Sequence, residues 1–384
     1  MSARGFIVPI LYAIVVSISF ACDGVPDVNT PPETKPANAA RFPESIVFVS
    51  DKETSPLRQI YVMRSDGGER TRITHDLNDY IDPAFSPDGL RILATSHTQD
   101  SSDQIYIMSA DGSNLVNLSS APGDNRFASF SPDGSRIVFA STRDGNSEIY
   151  VMDSNGKHQT RLTSNASIDH SPQFTADGSR IVYCSSAPDE SGRYIWDISV
   201  MSYDIYIMNS DGSGKRCLTE EMSCFASASR LGRNSFSIHE LQPGMSSDGG
   251  RIVFISYIPE SIYYNKLFIV DLSGNSQRYL VSGDVAAPVF APGDTKILLR
   301  SHGDGKFDLY EIDLDGTHLQ KLTNGTPGHT VFSQFSPDGS KILFFTDVLA
   351  FEKIWIMGRD GTGQTQLTYG TGNDTYPHFQ PIRK

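Results

Sequence analysis

Short apolar runs recur along this chain in one order, seven times over. Each unit reads as an apolar strand, a loop, an Ile-Tyr-x-Met strand, an Asp-Gly turn, a Leu-Thr strand, a second loop and then Pro-x-Phe-Ser-Pro-Asp-Gly. The Ile-Tyr-x-Met strands begin at Ile60, Ile105, Ile149, Ile205, Leu267, Leu309 and Ile354. In every unit the apolar residue of the Leu-Thr strand follows 13 positions later, at Ile73, Leu118, Leu162, Leu218, Leu280, Leu322 and Leu367. From Phe85, Phe130, Phe174, Met245, Phe290 and Phe335 the next apolar strand starts 7 positions on, at Ile92, Ile137, Ile181, Ile252, Ile297 and Ile342. The other two connections vary in length and swell in the fourth unit, at residues 186–204 and 220–244. A fixed repeat of about 45 residues built only from short strands predicts an all-β, seven-bladed β-propeller of four-stranded blades.

The two ends of the repeat fit together. Ile46–Ser50 reads as the second strand of a blade that lacks its innermost strand, and Tyr376-Pro377-His378-Phe379-Gln380-Pro381 matches the innermost strand of the other units. The C-terminal strand is therefore expected to complete the first blade and close the ring, which would otherwise expose an unpaired edge. The aromatic at the second position of each Ile-Tyr-x-Met strand (Tyr61, Tyr106, Tyr150, Tyr206, Phe268, Tyr310, Trp355) is read as packing between blades. The aspartates of the Asp-Gly and Ser-Pro-Asp-Gly turns are read as turn formers, because tight hairpins need positive φ and a short side chain that bonds its own backbone.

Residues 1–21 read as a signal peptide: Arg4 precedes an apolar run from Phe6 to Phe20 that is too short to span a bilayer. Ser19-Phe20-Ala21-Cys22 resembles a bacterial lipobox, which implies lipidation of Cys22. Five prolines (Pro26, Pro31, Pro32, Pro36, Pro43) make 22–44 a hydrated tether, and 45–384 a single propeller domain. A net charge of −13 argues against nucleic acid and anionic lipid as partners. Membrane attachment is expected through the lipid on Cys22 only, and the protein is expected to be monomeric. Beyond Cys22 there are three cysteines, and only Cys217 with Cys224 is spaced to allow a bond, since Cys184 and Cys217 should lie two strands apart.

Ser-Pro-Asp-Gly-x-[Arg/Lys]-Ile together with Ile-Tyr-[Val/Ile]-Met-x-x-Asp-Gly resembles the PD40 (WD40-like) repeat of TolB-type propellers, over nearly all of 45–384. The resemblance implies a cell-envelope protein that binds other proteins. TolB-type proteins carry a mixed α/β domain before a six-bladed propeller, whereas this chain carries seven units and no room for that domain. The repeat is also similar to the non-catalytic propellers of prolyl-oligopeptidase-type peptidases and to metal-dependent oligogalacturonate lyases.

The loops of fixed length share one face of the ring and the variable loops share the other. The large insertions hold Arg193, Tyr194, Trp196, Tyr203, Arg230, Arg233 and Phe236, and the matching loop of unit five adds Tyr263 and Tyr264. Trp, Tyr and Arg are the types enriched in binding hot spots, so these are the candidate contacts for a protein or peptide partner. A second candidate is the channel mouth, three positions before each Phe (or Met245): Asp82, Phe127, Ser171, Gln242, Ala287, Phe332 and Tyr376. His75, His97, His170, His239, His302 and His329 also fall in variable-face loops, but they come from different units without ligand spacing. No metal, cofactor or catalytic residue is therefore expected, nor is a Gly-x-Ser-x-Gly elbow present. The reading is a non-enzymatic binding protein of the bacterial cell envelope. The alternative is a carbohydrate-active enzyme of the metal-dependent lyase kind, or a glycan-binding protein.

Overall fold

Alternation along each strand sends side chains to both faces of its blade, so each blade needs an apolar neighbour on either side. The computed structural model describes residues 44–51, 57–97, 102–186, 202–219, 224–225, 243–257, 265–274, 276–303, 305–348 and 351–382. For 202, 203, 224, 225, 257 and 348 only the backbone is described. The strands form seven antiparallel blades of four. In blade 4 the extra pair Cys224–Phe225 adds to Ser202–Asn209.

Seven apolar clusters lie between neighbouring blades. One joins Leu93, Ile105 and Ile107 of blade 2 to Ile137, Phe139 and Met152 of blade 3. Another joins Ile46, Phe48 and Phe379 of blade 1 to Leu343, Phe345 and Ile354 of blade 7, so the ring is closed. A fully buried Ile such as Ile149 contributes roughly 1.5–3 kcal/mol of transfer free energy. The aromatic column packs between blades, as expected: Tyr61 of blade 1 joins the cluster with blade 7, Tyr150 of blade 3 the cluster with blade 2, and Trp355 of blade 7 packs against the cluster with blade 6. Each also stacks within its own blade, Tyr61 on Phe48 at 5.7 Å, Tyr150 on Phe139 at 5.7 Å and Trp355 on Phe344 at 6.4 Å.

Blade 1 is assembled from both ends of the chain. Asp374–Phe379 pairs antiparallel with Ser45–Ser50, which continues to Gln59–Arg64 and Thr71–Arg72. Buried polar contacts lock this seam. The Asp374 carboxylate, 0% exposed, takes Arg70 at 3.2 Å and Lys353 at 3.4 Å. The Asn373 side chain donates to Asp51 at 2.8 Å. Cys184 and Cys217 pair with Ile205 and Tyr206 of the same strand from opposite sides, as expected of strands two apart.

In six blades the outermost strand is two residues long: Thr71–Arg72, Val116–Asn117, Thr160–Arg161, Arg216–Cys217, Gln320–Lys321 and Thr365–Gln366. The next hydroxyl residue explains the stop. The N–H of Ile60, Ile105, Ile149, Ile205, Leu309 and Ile354 donates to Oγ of Thr74, Ser119, Thr163, Thr219, Thr323 and Thr368, at 2.8–3.0 Å. A side chain has taken the donor that a longer ladder would need. Blade 5 has Val281 at that position, and its outermost strand runs seven residues, Gln277–Gly283.

The turn aspartates are used where they stand. Asp66, Asp111, Asp211, Asp315 and Asp360 accept the N–H two residues on, with Gly67, Gly112 and Gly361 at φ 83°, 84° and 82°. In the Ser-Pro-Asp-Gly turns Ser131 donates to Asp133, Thr175 to Asp177 and Ser336 to Asp338, at 2.5–2.6 Å. These hydroxyl bonds, with backbone N–H groups, hold the three carboxyls down at about 2. Both described ends of the chain sit on this fixed face: Glu44 contacts Ser65 and Lys341, and Gln380 bonds Ser45 and Gly89.

Candidate functional site

In six blades the described innermost strand bends at a β-bulge. The ladder to the second strand shifts register between Ile81 and Ala84, Arg126 and Ser129, His170 and Gln173, Ala286 and Val289, and Thr330 and Phe332; in blade 1 the shift falls between Val47 and Val49. Asp82, Phe127, Ser171, Ala287 and Tyr376 occupy the bulges with φ of 49–57°. The channel-mouth column is therefore first a column of backbone irregularity. The proline that follows Asp82, Ser171, Ala287 and Tyr376 fits it, because a bulge does not ask for that N–H.

A cavity of about 580 Å³ opens along the inner strands, and all seven blades contribute to its wall. Asp82, Phe127, Ala287 and Phe332 of the sequence-derived column line it. Ser171 is buried instead, and Tyr376 lines a separate cavity. Gln242 lies outside the described residues. The position that every blade sends to the wall is two residues further on: Ala84, Ser129, Gln173, Gly244, Val289, Gln334 and His378. The signal for it was present, since the residue just before a buried Phe must point the other way in a strand.

The polar members of that column are tied to the ring. Gln173 donates to the Pro243 carbonyl at 3.4 Å, across to blade 5. The Gln334 amide donates to His378 Nε2 at 3.0 Å while its carbonyl accepts the Phe379 N–H at 3.1 Å. His378 Nδ1 in turn lies 3.0 Å from the Phe379 carbonyl, which makes Nδ1 the protonated nitrogen and Nε2 the acceptor. Burial pushes the His378 pKa down to about 4, so the ring is neutral. Gly244 is required by closeness: a Cβ there would stand 2.6 Å from the Pro288 carbonyl oxygen of blade 6.

Asp82 differs from its neighbours on the wall. Its carboxyl oxygens are sealed from solvent, and burial pushes its pKa up to about 7, against the pull of Arg58. Arg58 is held by Asp79, with Nε 3.0 Å from Oδ1. On the next blade Arg126 pairs with Asp103, and His97 Nδ1 lies 2.7 Å from the same carboxylate. This side of the variable face thus carries charge in matched pairs. Across the ring, Phe307 is flanked by His302 at 5.1 Å and His329 at 5.8 Å, under Arg300 at 4.5 Å.

Among the candidate contacts, Tyr203 lies in Ser202–Asn209 opposite Cys224. Arg193, Tyr194, Trp196, Arg230, Arg233, Phe236, Tyr263 and Tyr264 lie outside the described residues, as do Cys22 and His239. His75, His97 and His302 are exposed, while His170 is buried 5.8 Å from Phe127 and burial pushes its pKa down to about 4. No group of three or more His, Cys, Asp or Glu among the described residues stands close enough to hold a metal ion. A cavity of about 120 Å³ at the seam, lined by Asp51, Arg58, Glu352, Asn373 and Tyr376, was not foreseeable. Ring closure brings its walls together from opposite ends of the chain.

Similarity to known proteins agrees with this architecture. The family model described as TolB beta propeller domain (PD40) matches residues 115–200 and 197–382, more than half of the chain. The Tol-Pal system protein TolB of Anaeromyxobacter dehalogenans (strain 2CP-C) is 31% identical over 114 residues, which are 29% of this chain and 26% of that protein. The match thus spans about a quarter of the relative's length. The crystal structure of TolB from Acinetobacter baumannii superposes with a TM-score of 0.55 at 20% identity, over 89% of this chain and 67% of that one. Oligogalacturonate lyase in complex with manganese superposes with a TM-score of 0.58 at 11% identity, over 84% of each chain. These two likenesses are likenesses of fold. The chain belongs to the TolB beta propeller domain (PD40) family.

Proposed function

We propose that this protein is a non-enzymatic binding protein of the bacterial cell envelope, which engages a protein or peptide partner through the variable face of its propeller. The observation that carries the reading is how the polar groups are used. On the fixed face the turn aspartates are consumed by their own turns, and along the channel Gln173, Gln334 and His378 are consumed by bonds between blades. The long insertions 186–204 and 220–244, with the 258–264 loop, keep Tyr194, Trp196, Tyr203, Arg230, Arg233, Phe236, Tyr263 and Tyr264 as candidate contacts on the variable face. Residues 1–21 serve as the signal, Cys22 as the lipid anchor and 22–44 as the tether. Membership in a family that includes Tol-Pal system proteins supports an envelope role. The lyase reading has only the shared fold in its favour.

Cross-linked affinity capture from the native envelope tests the proposal, with the mature chain as one bait and a bait with 186–204 and 220–244 cut to repeat length as the other. A partner held only by the first supports the variable-face site. Equal capture by both baits removes the function from those loops.

A further inference from the structure

The outermost strand of blade 5 is longer than the other six at both ends, and its extension past Leu280 coincides with the loss of one hydroxyl. Val281 offers no hydroxyl to the Leu267 N–H, and after a register shift at Leu280 main-chain pairing resumes past the point where the other blades stop. Leu267 stands opposite Val281, Lys266 opposite Ser282 and Asn265 opposite Gly283. The strand is the last in its blade, and among the described residues no strand lies along its outer side. A seven-residue strand extends about 20 Å, long enough to template a further strand, whereas a two-residue edge is not. Natural propellers blunt such rims, and six blades here do so with Thr or Ser.

We propose that the outer edge of Arg278–Gly283 is a second interaction surface, which binds an extended acidic segment of a partner polypeptide as a fifth strand of blade 5. Main-chain hydrogen bonds supply the attachment, as in other strand-addition complexes. The chemistry of the occupant follows from the side chains along the edge. Arg278 and Tyr279 are exposed, the Arg278 guanidinium donates to the Leu314 carbonyl of blade 6, and the Lys266 ammonium, on the next strand in, lies 5.9 Å from the Tyr279 ring. Two cations on one rim of a chain with net charge −13 favour an acidic strand and disfavour a second copy of this chain.

The probe is an acetylated, amidated heptapeptide alternating valine and glutamate, titrated into the mature chain and followed by anisotropy and by amide hydrogen exchange of 277–283. Binding is expected to slow exchange in that strand, and Val281→Thr, which restores the hydroxyl stop, is expected to weaken binding about tenfold. Arg278→Glu also gives up the bond to the Leu314 carbonyl of blade 6, so with an unchanged thermal melt as the control it is expected to weaken binding several-fold. A peptide N-methylated at every residue, which has no main-chain donor on either edge, should not bind. Failure of the plain peptide to bind, equal binding of the methylated one, or unchanged affinity in a folded Val281→Thr would each overturn the proposal. So would a dimer in sedimentation that Val281→Thr dissolves, because a second copy would then be the occupant.

Discussion

Blades 1 and 5 both break the repeat, in opposite ways. Blade 1 is discontinuous in sequence, and its innermost strand comes from the far end of the chain. Its seam is dense with buried polar contacts: Asp374 between Arg70 and Lys353, Asn373 on Asp51, and Gln334 on His378 and Phe379. Blade 5 is continuous, yet its described innermost strand is only Gly244–Met245 and its outermost strand is the longest of the seven. One blade invests its polar groups in closing the ring. The other leaves main-chain groups along its rim. The lesson is that a ring needs specific bonds where the chain gives it no covalent continuity, and has freedom elsewhere.

The strongest way to break the comparison is to delete residues 375–384. Blade 1 then loses its innermost strand, and cooperative thermal unfolding is expected to disappear; a normal melt would show that closure does not depend on the seam. Next in size is Asp374→Ala, which leaves Arg70 and Lys353 facing each other with no buried carboxylate. Its expected cost is about 3 kcal/mol in urea unfolding, with no comparable effect for the exposed Asp66→Ala in the hairpin of the same blade.

Two variants sharpen the comparison through pH. Asp82, beside Arg58 of blade 1, has a folded pKa of about 7 against an ordinary value near 3.9, so the folded chain prefers the proton. Its penalty is absent below about pH 4, grows as pH rises to about 7 and is constant above. Asp82→Asn is therefore expected to stabilise by roughly 2 kcal/mol at pH 8 and to be neutral at pH 4. His378 behaves oppositely. With a folded value of about 4 and an unfolded value near 6.5, it lowers stability as pH falls through that window. His378→Gln should flatten the acid limb by roughly 1–2 kcal/mol, provided the Gln334 bond is kept. Denaturant melts across pH 4–8 read both effects.

The smallest expected effect is the most specific. Thr74→Val in blade 1 removes the acceptor of the Ile60 N–H, at a cost of about 1 kcal/mol. Hydrogen exchange should then show new protection beyond Arg72, because pairing can extend as it does in blade 5. Unchanged exchange there would detach strand length from the hydroxyl.

The seven blades, the closure by the last strand and the role of the turn aspartates were legible because each rests on local chemistry repeated many times. Ser-Pro-Asp-Gly spells its own turn between a Phe and an Ile seven residues apart, whatever surrounds it. Site chemistry was harder to read. The channel column was placed at Asp82, Phe127, Ser171 and their equivalents; Asp82, Phe127, Ala287 and Phe332 do line the cavity, but the bulge leaves Ser171 buried and Tyr376 on a separate cavity, and Ala84, Ser129, Gln173 and His378 join the wall from the position before each Phe. A bulge is a two-strand property and leaves little trace in one strand.

By itself the sequence determined the number of blades, the order of strands within each and the face on which each loop emerges. Period-two alternation and turn residues act over a few neighbours, and the repeat averages out any single exception. Only the tertiary structure decided the pKa values of Asp82 and His378, the seam cavity between Asp51 and Asn373, and the open rim at Arg278–Gly283. Each of these depends on groups brought together across strands or blades, where burial and a neighbour's hydrogen bond set the energy. Val281 stands between the two: the substitution is plain in the sequence, but that a hydroxyl ends the strand is seen only when six blades show the bond and one does not.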